Sequence, residues 1–105
     1  MYNRYTFSED IELGQLTETK VNHEVIRVWT YRPVYASMEG VRSREHYQAS
    51  IAGMRPEIVF VVRDFEYDNE ERVRHNGKVD DIIRHSYLEG GFYELVGSAR
   101  TGGEI

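Results

Sequence analysis

The chain has 105 residues, of which thirteen are basic and eighteen acidic, for a formal net charge of −5. This length predicts one domain over residues 1–105, with flexible tails at 1–3 and 100–105, because two cores would need more chain. Cysteine is absent, which excludes a disulfide scaffold and a metal site with cysteine ligands. No apolar run approaches the roughly 20 residues of a membrane span, and the first ten residues lack the apolar stretch of a secretory signal. We therefore expect no export through a secretory signal and no membrane partner.

The charge pattern also bears on nucleic acid. Binding without sequence preference depends on Lys and Arg that neutralise phosphates. Only two of the thirteen cations are lysine, and the arginines are scattered among acids. The sequence therefore argues against a protein that coats DNA or RNA.

Short runs rich in Tyr, Val, Ile and Phe predict β structure in the first forty residues. The first run, Arg4 to Leu13, has a period of two and predicts a half-buried strand. Its apolar residues of odd number are Tyr5, Phe7, Ile11 and Leu13. The polar stretch from Gly14 to Asn22 predicts a turn or mobile loop. The next run, His23 to Met38, predicts a long strand whose apolar face changes parity near Pro33, which indicates a bulge or bend.

The pattern then becomes helical from Ser43 to Gly53. Ser43 can cap the helix, and Gly53 with Pro56 can end it. Tyr47, Ile51 and Met54 share one face at helical spacing. We expect a short helix in a long segment between two strands.

The second half predicts a strand from Ile58 to Phe65 and two hairpins. Asn76-Gly77, between Glu71–His75 and Lys78–Tyr87, indicates a type I′ turn. This register places Arg72 opposite Asp81, a cross-strand ion pair, and Arg74 opposite Val79. Glu89-Gly90-Gly91 leads to a last strand, Phe92–Ala99. The predicted fold is mainly β, a small SH3-like antiparallel barrel of five to six strands with one short helix.

We find no motif for catalysis, a metal or a cofactor. The histidines, His23, His46, His75 and His85, form no HxH or HxxxH pair. The acids from Glu66 to Asp81 contain no calcium loop, the serines lie in no GxSxG elbow, and the glycines form no phosphate loop. Asp80 and Asp81 should point to opposite faces of a strand. We therefore expect a protein that is not an enzyme and binds no cofactor.

Eight tyrosines and one tryptophan are in excess. They could form a face on which nucleotide bases stack, or they could form core and subunit interfaces. Because the basic residues that nucleic acid needs are missing, the second interpretation is favoured.

The order of these pieces resembles the head-closure, or head–tail connector, proteins of long-tailed bacteriophages. The resemblance covers about residues 25–100 and rests on order and spacing. The matching pieces are Trp29-Thr30, Val34 to Met38, Ser43-Arg44-Glu45 with Tyr47 and Ala49, Val61-Val62-Arg63, Arg72 to Val79, Ile82, and Glu94-Leu95-Val96. Two positions depart from the family pattern: Asp80 stands where an aromatic is usual, and Gly97-Ser98 makes the last strand less apolar.

The resemblance implies a structural virion protein at the phage neck, assembled from the host cytoplasm as a dodecameric ring of identical copies. Its neighbours would be the portal or adaptor ring above and the tail terminator or tail tube below, with phage DNA passing through without sequence-specific binding. In some members a segment like Gly40 to Pro56 projects into the channel as a stopper. The candidate gate residues here are Val41, Arg42, Ser43, Arg44, Glu45, Tyr47, Gln48, Ile51, Met54 and Arg55.

Two alternatives stay open. A tail-terminator or tail-completion protein is also a small ring former. An SH3-like module that binds peptide or nucleic acid belongs to a different class, and it would need an aromatic or basic groove between projecting loops.

Overall fold

Six strands form the structure, a computed structural model that describes residues 5–40 and 55–99. The strands are β1 (Glu9–Val21), β2 (Glu24–Glu39), β3 (Pro56–Arg63), β4 (Arg72–His75), β5 (Lys78–Leu88) and β6 (Phe92–Ala99), and a 3-10 turn spans Asp64–Glu66. Every strand pair is antiparallel, and the sheet closes in the order β1-β2-β3-β6-β5-β4. The predicted mainly β, antiparallel barrel is confirmed.

Alternate residues of the strands point into the barrel and form its core. The buried cluster is Ile11, Leu13, Val34, Ala36, Phe60, Val62, Val73 and Leu95. The period of two in the first predicted strand correctly identified Ile11 and Leu13 as buried. Removal of any of these side chains from water is the main favourable contribution to folding, about 1.5–3 kcal/mol for each large aliphatic or aromatic one.

One acid lies among these apolar residues. Asp80, opposite Val73 in the β4–β5 ladder, is only 4 % exposed. Lys78 Nζ donates to its Oδ1 at 3.0 Å, while Oδ2 has no hydrogen-bond partner. A Cβ at Gly97 would lie 3.2 Å from the Asp80 Cβ, so the two departures from the connector pattern, Asp80 and Gly97, are neighbours in space. As predicted, Asp81 points to the other face.

The prediction for the start of the chain was wrong in its boundaries. β1 begins at Glu9 and continues to Val21, so the stretch from Gly14 to Asn22, expected to be a turn or loop, is mostly strand. Beyond Gly14 the strand is solvent-exposed on both faces, so no alternation of apolar and polar residues reveals it. The chain reverses at Asn22 and His23, both with positive φ (51° and 67°), as a two-residue hairpin turn requires.

The expected bulge near Pro33 is also absent from the β1–β2 ladder, whose register runs without a shift from Glu9↔Ala36 to Val21↔Glu24. The change of parity in β2 has a different cause. Val34 and Ala36 point into the core, whereas Trp29 and Tyr31 lie on the outer face against arginines of β4. A strand with apolar residues on two different faces therefore needs no bend.

The other predicted elements differ little from the observed ones. β3 ends at Arg63, and the 3-10 turn replaces the expected end at Phe65. The β4–β5 hairpin has the predicted register, with Arg72 opposite Asp81 across the pair, and its turn residues Asn76 and Gly77 have positive φ (52° and 80°). β6 has the predicted bounds. The predicted helix, Ser43 to Gly53, lies outside the described residues, as do the tails 1–3 and 100–105.

The close contact between Gly14 and Tyr31 generates a prediction. A Cβ at Gly14 would lie 2.4 Å from Tyr31 Cε2, so Gly14→Ala must displace a ring that Arg74 also contacts. We expect a loss of about 1–3 kcal/mol in the free energy of unfolding, measured by urea denaturation. In a Tyr31→Ala background the same change should be neutral or slightly stabilising, because alanine is better than glycine in a strand.

Gly40→Ala is the matched control, since no atom of the described residues lies within 4 Å of its added Cβ. Equal losses from Gly14→Ala with and without the Tyr31 ring would contradict the proposed steric cause.

Candidate functional site

A two-stranded ribbon projects from one end of the barrel. β1 pairs with β4 only through Glu12, Leu13 and Gly14, and β2 pairs with β3 only over Ser37–Glu39. Residues 15–30, here called the ribbon, therefore pair only with each other among the described strands. Such a ribbon is marginally stable alone in water, so its base must be held firmly.

The two faces of the ribbon differ in charge. Cross-strand partners point to the same side of an antiparallel pair. The outer face has the Glu18–Arg27 ion pair at 3.0 Å and Lys20. The core-side face, which continues the side that the barrel buries, has β-branched residues and one charge at the tip, Glu24. Its residues are Thr17, Thr19, Val21, Ile26 and Val28, and the exposed fractions of Val21, Ile26 and Val28 are 44 %, 40 % and 46 %.

Two stacked cation–aromatic pairs hold the ribbon base on its outer face. The Arg72 guanidinium lies 3.7 Å from the centre of the Trp29 ring, and that of Arg74 lies 3.9 Å from the Tyr31 ring. Gly14, between Tyr31 and Arg72 in the ladder, lets the Tyr31 ring lie directly on β1. Trp29 and Tyr31 of β2 are thus explained as partners of the β4 arginines.

Carboxylates complete this outer row. Arg74 Nε donates to Glu12 Oε1 at 2.7 Å, and Arg72 lies 3.6 Å from Asp81, the predicted cross-strand ion pair. The hydrogen bond from Arg74 lowers the pKa of Glu12, and the same bond raises the pKa of Arg74. Both groups therefore stay charged at neutral pH, and β1 is joined to β4 by charge as well as by its three residue pairs.

The barrel end beneath the ribbon, here called the mouth, is closed by a buried acid. The Glu70 carboxylate, 3 % exposed, accepts from Arg32 at 2.8 Å and from the Asp68 backbone N–H at 2.8 Å. Arg32 also donates to the Glu66 carbonyl oxygen. A cleft of about 230 Å³ lies between this cluster and the ribbon, lined by Leu13, Gln15, Thr30, Tyr31, Arg32, Asp68 and Glu70.

Aromatic rings cover the rest of the mouth. Tyr93 lies 5.2 Å from Tyr67 and 5.5 Å from Tyr87, and His85 lies 5.3 Å from Tyr67, measured between ring centres. We call these four residues the mouth aromatics. A register shift between Ile82 and Arg84 turns His85 and Tyr87 toward the core side of the sheet. Tyr87 remains 58 % exposed.

Tyr67 has the most perturbed acidity at the mouth. Its Oη donates to the Glu70 carbonyl oxygen at 3.0 Å. Burial, with the negative charge of Glu70 as the second cause, raises the pKa of Tyr67 to about 12. The phenol is therefore neutral and a hydrogen-bond donor throughout the physiological range.

The opposite barrel end contains the Asn76-Gly77 turn and the two strand ends that flank the predicted gate segment. β2 ends there at Glu39 and β3 begins there at Pro56, away from the ribbon. Of the candidate gate residues, Arg55 is described and exposed. The others, Val41, Arg42, Ser43, Arg44, Glu45, Tyr47, Gln48, Ile51 and Met54, lie outside the described residues.

The remaining candidates are dispersed. His23 is at the ribbon tip and His85 at the mouth, while His75 Nε2 lies 2.9 Å from Glu9 Oε1; His46 is outside the described residues. Over residues 5–40 and 55–99 no three His, Asp or Glu side chains are grouped to hold a metal ion. The same described residues contain no helix that is long and apolar enough to span a membrane.

Comparisons with protein-family models and with curated protein sequences returned no match.

Sequence reasoning missed the ribbon and the mouth cluster. The sequence did contain a signal for the ribbon: every second residue from Thr17 through Thr19 to Val21 is β-branched. Arg32 and Glu70 are far apart in sequence and show no local pattern that could have paired them.

The shifted pKa of Tyr67 predicts a pH dependence. The pKa of Tyr67 in the folded protein lies above its ordinary value near 10. The neutral phenol therefore contributes its full share to the free energy of unfolding below pH 10. This contribution is lost as pH rises from about 10 toward 12. We expect Tyr67→Phe to show a smaller loss of stability between about pH 9 and about pH 11 than the wild type, by urea denaturation.

Tyr87→Phe is the control, because this ring is exposed and belongs to the same cluster. It should retain the wild-type loss, and an identical pH response of both variants would contradict the role assigned to Tyr67.

Proposed function

We propose that this chain is a ring-forming head–tail connector of a long-tailed bacteriophage, a structural protein that closes the head after DNA packaging and receives the tail. The resemblance in the order of Trp29-Thr30, Val34–Met38, Arg72–Val79 and Glu94-Leu95-Val96 supports this class. In the structure Trp29-Thr30 lies at the base of the ribbon and Val34–Met38 lies in the barrel part of β2. Arg72–Val79 forms the turn end of the β4–β5 hairpin, and Glu94-Leu95-Val96 lies in β6.

The observation that best supports the proposal is that the ribbon and the strand ends flanking the gate segment lie at opposite ends of one small barrel. The ribbon begins at the mouth, whereas Glu39 and Pro56 lie at the far end. A ring stacked between two other rings needs contacts on both sides. Under this proposal one barrel end faces the portal or adaptor and the other faces the tail terminator or tail tube.

The gate is the second part of the proposal. The segment from Gly40 to Pro56 acts as the stopper, and Arg42, Arg44 and Glu45 hold it through ion pairs between subunits. Docking of the tail changes these pairs and opens the channel. The protein is not an enzyme in this proposal, and it needs no cofactor.

Charge supports a duct that releases DNA. The chain has a net charge of −5, and the arginines of the described wall are engaged: Arg27 with Glu18, Arg32 with Glu70, Arg72 with Asp81 and Arg74 with Glu12. The described residues of such copies offer DNA few unpaired cations, so phosphate binding to this part of the ring does not retain the genome.

Copy number tests the class of protein. We expect native mass spectrometry to find the purified chain in small species, and about a dozen copies of it on the portal–adaptor complex encoded by the same genome. The count of about a dozen is what the resemblance to head–tail connectors implies, and cyclic symmetry is how identical contacts would close a ring.

A peptide- or nucleic-acid-binding module would use the cleft between the ribbon and Arg32 instead. Such a module would stay at one or two copies, ignore the portal and shift in mass with an oligonucleotide or peptide. Assembly only on purified tail tubes would favour the tail-terminator alternative.

Deletion tests the gate. Particles with a chain that lacks Val41 to Arg55 should assemble the connector ring on the portal yet lose DNA, measured as protection of the packaged genome from nuclease. The control is a serine–glycine segment of equal length, which should also leak because it lacks the ion-pairing residues. Normal retention of DNA in either variant would disprove the stopper role.

A further inference from the structure

The β1 strand of the ribbon has an open hydrogen-bonding edge. At the base of the ribbon the Gly14 carbonyl oxygen accepts from the Glu71 backbone N–H at 3.0 Å, on the side of β1 that faces away from β2. Every second residue of a strand directs its N–H and C=O groups to the same side, and the register of β1 has no shift. The main-chain groups of Leu16, Glu18 and Lys20 therefore point to that side, where no described strand pairs with them.

An unpaired edge of this kind is a template for another strand, because its donors and acceptors lie at the spacing that a second strand matches. A lone lysine on an edge discourages such pairing. Here Glu18 lies two residues before Lys20, with both side chains on the outer face of the ribbon. This charge pattern makes the edge attract an antiparallel copy of itself.

Charge also selects one register of that pairing. With Thr19 of one copy opposite Thr19 of the other, each Lys20 lies opposite a Glu18. Glu18 already contacts Arg27 at 3.0 Å, and its carboxylate can accept from both cations, whereas Lys20 has no ion-pair partner among the described residues. The two neighbouring registers would place Glu18 opposite Glu18 or Lys20 opposite Lys20, and like charges directly opposite are destabilising.

The core-side face of the ribbon suits the same register. Thr19 would meet Thr19, and Thr17 of each copy would meet Val21 of the other. All of these side chains are β-branched and exposed in the single chain. Cross-strand pairs of this kind stabilise antiparallel strands, so both faces of the ribbon favour the register that the charges select.

Other pairings of the ribbon edges are less suitable. The cations of β2 are already engaged, Arg27 with Glu18 and Arg32 with Glu70. Pairing of β1 with β2 of a copy in the same orientation would set the two copies about 10 Å apart, two strand spacings. The shortest extent of the molecule is 23 Å, so the two barrels would collide. Antiparallel β1 edges instead place the barrels at opposite ends of the paired ribbons.

We infer that two copies of the chain pair through the β1 edges of their ribbons and form a four-stranded sheet in the order β2-β1-β1-β2. The contact is two-fold and closes at two copies. It leaves no open β1 edge for a third copy, so it is a contact of the free chain and goes beyond the proposed ring. Pairing also covers an edge that would otherwise promote aggregation.

Thr19→Cys tests the contact at the two-fold axis. The natural chain has no cysteine, and Thr19 is exposed. Facing residues that do not exchange main-chain hydrogen bonds have Cα atoms about 4.5 Å apart, a separation that a disulfide spans. We expect the purified variant to form disulfide-linked dimers under mild oxidation, measured on non-reducing gels, with folding checked by circular dichroism.

Ile26→Cys is the matched control, because Ile26 is the cross-strand partner of Thr19 on the same face but belongs to β2. In the paired ribbons the two copies of this position lie three strand spacings apart, about 14 Å, which is too far for a disulfide. Its yield of dimer should be several times lower. An equal yield, or an equal yield from Val28→Cys, would show random collision or pairing through β2 and overturn the inference.

Lys20→Glu tests the register by charge. We expect the wild-type chain to sediment as a mixture of one and two copies, and the substitution to raise the Kd of the dimer at least about tenfold, because both of its ion pairs become like-charge pairs. Glu24→Lys, on β2 away from the shared edge, should change the Kd less than about twofold. An unchanged Kd for Lys20→Glu, or a wild-type chain that stays a single copy at the highest concentration it tolerates, would overturn the inference.

These measurements use the free protein, so they are independent of the connector role. A Thr19-linked dimer from a protein absent from phage necks would keep the contact and remove the proposed function. A neck ring built from a chain that never pairs in solution would do the reverse.

Discussion

Closure of the barrel between β1 and β4 depends on the stack of Trp29 on Arg72 and Tyr31 on Arg74. Only three residue pairs join the two strands, so the backbone alone makes a short seam. A cation–aromatic pair contributes about 0.5–1 kcal/mol when exposed and about 2 kcal/mol when desolvated. Arg72 is 7 % exposed, so its pair with Trp29 belongs to the stronger class. The exposed Glu12–Arg74 ion pair contributes less, because solvent screens it.

The same stack gives the projecting ribbon a rigid base. Trp29 and Tyr31 belong to the strand that continues into the ribbon, while their arginine partners belong to the barrel wall. On the other face, Arg32 is fixed by Glu70, an acid that the mouth buries. The base of the ribbon is thus held from both sides, so its free end can be exposed and still have a defined direction.

The sequence predicted those elements whose geometry local residues decide. Asn76-Gly77 requires positive φ at both positions, which specifies a two-residue turn and with it the register that brings Arg72 opposite Asp81. Parity identified Ile11 and Leu13 as core because one face of that strand is buried.

The sequence did not predict the features that depend on tertiary contacts. The ribbon has solvent on both faces, so Thr17 and Thr19 show no apolar partner pattern and resemble a loop. The parity change near Pro33 suggested a bulge because Trp29 counts as apolar with Val34 and Ala36, whereas it lies on the outer face and contacts an arginine from a strand far along the chain. The Arg32–Glu70 pair and the raised pKa of Tyr67 depend on the same long-range packing.

The short seam between β1 and β4 also determines the order in which the molecule can form. Three of the strand pairs join strands that are neighbours along the chain: β1 with β2, β4 with β5, and β5 with β6. Each of these pairs can form outward from its own turn at little entropic cost. The seam must instead join segments that are far apart in the chain, and its loop-closure entropy is balanced by three residue pairs, two stacked arginines and the contacts of Glu12 with Arg74 and of Glu9 with His75. We therefore expect the barrel to open first at this seam, so that the amide hydrogens of Glu12 and Gly14, which face β4, exchange with solvent sooner than those of the β3–β6 pairing.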